Sequence, residues 1–106
     1  MNLIIIEDEI TASNRLQKMI QDLDGSYEIK AVLDSVIGAV NYLSQSRDLD
    51  LIFMDVQLAD GLCFDIFEKV DVDYPIIFTT AYDEYALQAF KVNSVDYLLK
   101  PVRQAL

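Results

Sequence analysis

Four apolar residues, Leu51-Ile52-Phe53-Met54, run directly into the carboxylate of Asp55. A short apolar run that stops at a polar loop is the pattern of a central strand buried on both faces of a parallel sheet, where no solvent side exists to accept alternating polar residues. Asp55 then stands at the C-terminal edge of that strand. Open α/β sheets bind their ligands in the crevice outside this edge, so Asp55 is a functional candidate. A helix-capping aspartate is the other reading of the same residue.

The rest of the chain repeats this grammar. Leu3-Ile4-Ile5-Ile6 is a second apolar run, rich in β-branched residues that favour strands, and it ends in Glu7-Asp8-Glu9. Tyr27 to Leu33 reads as another strand, and Pro75 opens Ile76-Ile77-Phe78-Thr79, since proline is tolerated at the first residue of a strand. Val95 to Leu99 is the last. Between these runs apolar residues recur at helical spacing: Ala12, Leu16, Met19, Ile20 and Leu23 up to the stop at Asp24-Gly25, then Val36, Val40 and Leu43, loosened by Gly38. Cys63, Ile66, Phe67 and Val70 follow the turn signal Ala59-Asp60-Gly61, and Tyr85, Ala86, Ala89 and Phe90 follow Asp83, a candidate cap. Strands alternating with helices predict right-handed crossovers and an α/β fold: a doubly wound, parallel five-stranded sheet in a three-layer sandwich.

Composition narrows the function classes. At 106 residues the chain has room for one domain, and 53% hydrophobic with 25% charged residues is a globular rather than a disordered balance. A net charge of −10 sets the surface against nucleic-acid backbones and anionic membranes, so direct nucleic-acid binding by this segment is not expected. Histidine is absent and Cys63 is the lone cysteine, which excludes an internal disulfide and argues against zinc chemistry; Cys63 reads as a small core residue. Met1-Asn2 leads at once into an apolar run that turns acidic, unlike a signal peptide, and no apolar stretch approaches spanning length. The cytoplasm is the expected location. After Lys100-Pro101 only Val102 to Leu106 remain, too few to hold a helix alone. A fifth helix is therefore expected to be largely absent from this chain and to follow it in a longer polypeptide.

The predicted strand ends gather distant residues: Glu7 and Asp8 after the first strand, Asp55 after the third, Thr80 after the fourth and Lys100 after the fifth. Carboxylates placed about 4 Å apart repel by roughly 4 kcal/mol per pair at an effective dielectric of about 20. Such neighbours need a cation. Oxygen donors suit a hard divalent ion, and only two or three carboxylates, leaving room for waters and a phosphate, favour Mg²⁺ over Ca²⁺. A carboxylate beside that ion can serve as nucleophile, and the ion, the Lys100 ammonium and the Thr80 hydroxyl suit the charge that develops on a phosphoryl group. The set predicts phosphoryl transfer to Asp55.

Four motifs carry a resemblance: Ile6-Glu7-Asp8-Glu9, Met54-Asp55-Val56-Gln57-Leu58-Ala59-Asp60-Gly61, Thr79-Thr80-Ala81 and Asp96-Tyr97-Leu98-Leu99-Lys100-Pro101. Together they resemble the receiver domain of a two-component response regulator, and the segment from Thr80 to Phe90, continuing from Val92 to Tyr97, resembles the LytTR (LytR/AlgR) branch. The resemblance implies a flavodoxin-like strand order of 2-1-3-4-5. It implies that Asp55 accepts phosphate from a sensor histidine kinase, that Asp8 and Asp55 ligate Mg²⁺ with the Gln57 carbonyl, and that Glu7 does so directly or through water. Lys100 would pair with Asp55 or its phosphoryl group, and the bond to Pro101 would be cis. Thr80 and Tyr97 would form the switch. Residues 1–106 would be the receiver domain, truncated near the start of the fifth helix, with a DNA-binding output domain elsewhere in the longer protein and a homodimer forming on phosphorylation. The domain would be no enzyme, though it would assist its own phosphorylation and slow dephosphorylation. Glu7 departs from the commoner aspartate, and Ala59 from a common proline.

Glu9 reads as a solvated residue of the first helical turn and Asp60 as a turn residue before Gly61. Gln57 and Tyr82 would flank the path of an attacking water and slow hydrolysis. Two other classes remain open on sequence: a Mg²⁺-dependent phosphatase of the haloacid dehalogenase type, disfavoured because Gln57 stands where its second aspartate belongs, and a pseudo-receiver that never carries phosphate.

Overall fold

The computed structural model describes residues 1–23, 25–45, 48–81 and 94–100, with the backbone alone for 94–99. Five strands form one parallel sheet: β1 (Asn2–Ile6), β2 (Glu28–Leu33), β3 (Leu51–Met54), β6 (Ile76–Thr80) and β7 (Ser94–Leu99). Their order is β2-β1-β3-β6-β7, which is the 2-1-3-4-5 order of a flavodoxin-like doubly wound sheet. Helix α1 (Ile10–Leu23) follows β1 and α2 (Val36–Leu43) follows β2. A small antiparallel ribbon, β4 (Gln57–Leu58) with β5 (Gly61–Leu62), follows β3 and leads into α3 (Phe64–Lys69).

Side-chain alternation explains why the central strands are apolar throughout. Ile4, Ile6, Ile52, Met54, Ile76 and Phe78 pack on one face beneath Val36, Ala39 and Leu43 of α2, with Cys63 and Ile66 at and in α3. Leu3 and Ile5, with the half-buried Leu51, Phe53 and Ile29, meet Leu16 and Ile20 of α1 on the other. A strand covered on both faces has no polar side to show. Three layers result.

Several boundaries move. The fourth long strand continues through Thr80 rather than ending at Thr79, and β2 starts at Glu28, leaving Tyr27 to pack against the α1-side core. Cys63 precedes α3 instead of riding on it; it is buried, and its N–H donates to the Val56 carbonyl at 2.7 Å. Ala59-Asp60-Gly61 is the tip of the β4–β5 ribbon, where Gly61 takes a φ of +152° that side-chain-bearing residues avoid. Gly38 has a reason to be glycine: the Ser35 hydroxyl accepts the Gly38 N–H at 2.9 Å, and a Cβ there would lie 3.0 Å from that oxygen. The helix expected at Tyr85–Phe90, its cap Asp83, the Lys100–Pro101 bond and any fifth helix lie outside the described residues. Among the described residues, no helix is long and apolar enough to cross a membrane.

The sheet's centre should be the least forgiving place in the chain. Ile52 is 0% exposed, so Ile52→Ala is expected to cost about 2–5 kcal/mol, read as a lowered urea midpoint. A loss below about 1 kcal/mol would contradict the packing.

Candidate functional site

Because Ile6 and Met54 are register partners, the residues that follow them emerge side by side at the carboxyl rim of the sheet. Asp55 is tied there by its N–H to the Ile6 carbonyl at 2.8 Å, and Glu7 by its N–H to the Leu33 carbonyl at 2.8 Å. Glu7, Asp8 and Asp55 each offer a carboxylate oxygen within 4.8 Å of the others. Lys100, at the end of β7, is anchored by its N–H to the Thr80 carbonyl at 2.7 Å. Its four-carbon stem reaches back across β6 so that Nζ lies 2.6 Å from Glu7 and 3.0 Å from Asp55.

The side chains of Glu7 and Asp55 are only 3% and 8% exposed, whereas Asp8 faces solvent. The site is thus a partly dry pocket with one open acid. With all three acids ionised, one lysine leaves two negative charges unbalanced, which matches a divalent ion. Every donor in the set is oxygen, the chemistry of a hard cation such as Mg²⁺. The Gln57 N–H points at Asp55 Oδ1 from 3.4 Å, so the ribbon that carries Gln57 starts at the rim. No helix starts after Asp55, since the ribbon follows it; the capping reading of that residue falls away.

Thr80 is fully buried at the end of β6, next to β3. Thr79, the residue beside the expected site hydroxyl Thr80, lines a groove of about 310 Å³ with Glu7, Lys100, Ala81 and the α1 residues Thr11 and Arg15. The strand alternation is the only sequence signal for it. The side chains of Tyr97 and Tyr82 lie outside the described residues. Glu9 is exposed, as expected, but stands just before α1 rather than in its first turn, and its N–H donates to Glu7 at 3.2 Å. Asp60 is more than a turn residue: its carboxylate accepts the N–H groups of Val36 at 2.6 Å and Ile37 at 3.1 Å. Those partners are far away in sequence, so no local pattern announces the contact.

Electrostatics follows from this crowding. Burial pushes the Glu7 carboxyl up to about 7 against the opposing pull of Lys100, and the neighbouring Asp55 pushes the same way. Burial opposes the charge on Lys100, but its bonds to Glu7 and Asp55 outweigh that and hold it above the usual lysine value. The Val36 amide, then that of Ile37, holds Asp60 below the usual carboxylate range. Cys63 is pushed up by burial and by the nearby acids, which keeps it an inert thiol.

A doubly wound parallel sheet with three acids and one lysine over its carboxyl rim defines a receiver-type domain. The comparisons agree: the chain matches the response regulator receiver domain over residues 3–106 and belongs to that family. It is 38% identical over 104 residues to the sensory transduction protein LytT of Bacillus cereus, covering 95% of this chain and 42% of that protein. To the transcriptional regulatory protein LytR of Staphylococcus aureus it is 36% identical over 107 residues, covering 98% and 43%. These relatives place it in the LytTR branch, and the chain spans less than half of their length. Among solved structures, the response regulatory domain of protein mrkE from Klebsiella pneumoniae superposes with a TM-score of 0.81 at 31% identity, covering 97% of this chain and 85% of that one.

The raised Glu7 carboxyl has a signed consequence. Between pH 4.5 and about 7 the folded chain holds a proton that the unfolded chain releases. Its stabilising contribution is full below that window and is lost as pH rises through it. In metal-free buffer the wild type should lose stability relative to Glu7→Gln as pH rises from 4.5 to 7, measured by urea denaturation. A pH-independent difference between the two would contradict the burial of Glu7.

Proposed function

We propose that this domain is a phosphorylation-operated switch in which Asp55 takes a phosphoryl group from the phosphohistidine of a sensor histidine kinase. The observation that carries this reading is the bridge from Lys100 to both Asp55 and Glu7. It holds a cation against the nucleophile at the place where phosphoryl oxygens would need one.

Asp55 attacks phosphorus through a carboxylate oxygen, the phosphorus–nitrogen bond breaks, and the imidazole of the kinase leaves with the electron pair. Lys100 then exchanges a carboxylate for a phosphoryl oxygen, and the Thr80 hydroxyl approaches another. Glu7, Asp8, Asp55 and the Gln57 carbonyl would hold Mg²⁺, which when bound supplies neutralising charge to the phosphoryl oxygens. Thr80 and Tyr97 would form the moving part, so that phosphorylation shifts a population between two packings. LytR is a transcriptional regulatory protein; by that likeness the longer protein, in the cytoplasm, would couple this switch to a DNA-binding output domain and to dimer formation.

Incubation with Mg²⁺ and acetyl phosphate tests this by intact-mass measurement. One phosphoryl group per chain, lost in Asp55→Asn, is expected. Lys100→Ala should slow labelling by about 10²-fold, the scale of losing one charge-stabilising donor. Continuous release of phosphate from small esters would favour a phosphatase instead, and no labelling at all would leave only an interaction module.

A further inference from the structure

Gln57 belongs to the β4–β5 ribbon, and that ribbon is too small to hold itself: it has two residue pairs, Gln57 with Leu62 and Leu58 with Gly61. Two-stranded hairpins are marginal in water even when longer. Its body is secured by the buried Val56 and Leu58, which join the core with Leu62 packed against it, and by the bond from the Cys63 N–H to the Val56 carbonyl. At its tip the described bonds that tie it to the body are those from the Val36 and Ile37 N–H groups to the two carboxylate oxygens of Asp60.

We propose that Asp60 is a positioning residue of the phosphoryl site, fastening the ribbon that carries Gln57 to the first turn of α2. This rests on the proposed Mg²⁺-dependent phosphorylation of Asp55.

The first turn of a helix leaves N–H groups without intrahelical partners, and α2 divides its own between two residues. Ser35 takes the Gly38 N–H, as a local cap does. Val36 and Ile37 are served from 24 and 23 residues away. Helix capping alone does not require that arrangement; it makes the start of α2 a fixed post for the ribbon. The post is firm because Val36, Ala39 and Leu43 are buried against the sheet. The 2.6 Å bond from Val36 is short, as bonds to a charged acceptor are. Gly61 completes the geometry, since its φ of +152° suits glycine and would strain any residue with a side chain. With tip and base both fixed, the Gln57 carbonyl between them has a fixed direction.

Asp60 is solvent-exposed, so replacing it opens no cavity. The test compares wild type, Asp60→Ala, Asp60→Asn and Ser35→Ala. Mg²⁺ affinity is read by calorimetric titration, melting temperature in metal-free buffer, and Mg²⁺-dependent labelling with acetyl phosphate. Both alanine variants should melt lower, because each uncaps the same helix. Only Asp60→Ala should weaken Mg²⁺ binding, by roughly tenfold, the scale of losing a residue that orients a metal ligand. Labelling at saturating Mg²⁺ should approach the wild-type rate. Asp60→Asn, which keeps one acceptor oxygen, should restore most of the affinity. An Mg²⁺ affinity within about twofold of wild type in Asp60→Ala, or an equal loss in Ser35→Ala, overturns the inference and leaves Asp60 a cap. Failure of the wild type itself to bind Mg²⁺ overturns the functional reading beneath it.

Discussion

The register between β1 and β3 forces like charges together. Once Ile6 is paired with Met54, the residues that follow, Glu7, Asp8 and Asp55, have one rim on which to emerge. The sheet's apolar faces enforce that pairing, because a slip of one residue would turn buried isoleucines toward the wrong layer. The hydrophobic core thus compels an arrangement that electrostatics opposes. Lys100 relieves part of the opposition, and burial beside Asp55 pushes the Glu7 carboxyl up to about 7, easing its protonation. On the proposed reading, the capacity to bind a cation is stored as repulsion between acids held in place by packing elsewhere.

The same constraint links the fold to the proposed switch. Asp55 sits where the ribbon begins, Lys100 is tethered to the Thr80 carbonyl, and Glu7 is tied to the end of β2. A change of charge on Asp55 therefore alters forces on β1, on β6 with β7, and on the ribbon at once. Asp60 extends that reach to α2. A local event at a rim whose backbone is so anchored has few directions in which to relax, which suits a two-state device better than a graded one.

Much of this was legible in the sequence, for identifiable reasons. Leu51 to Met54 announces a strand buried on both faces, and the structure begins and ends β3 at those residues. The acids and Lys100 were legible because each follows an apolar run, and strand ends in a doubly wound sheet share one edge. What stayed hidden depends on distance in the chain or on register. Asp60 looks like any residue before a turn glycine, since its partners lie beyond any local window. Thr79 and Thr80 cannot be told apart by composition; only the side of the pleat decides which lines the groove. Cys63 fits the helical spacing of Ile66 and Phe67 yet belongs to the turn before them, because helix starts are set by capping geometry that spacing does not report.

The most direct measurement of the central claim, that folding gathers mutually repelling acids for a cation to join, is thermal denaturation with and without Mg²⁺. A ligand that binds only the folded site stabilises it by about 2.7 kcal/mol at about 100 times its dissociation constant. The wild type should melt higher as Mg²⁺ is added, and the double variant Asp8→Ala/Asp55→Ala should not respond. An equal rise in the double variant would place the ion elsewhere and contradict the account.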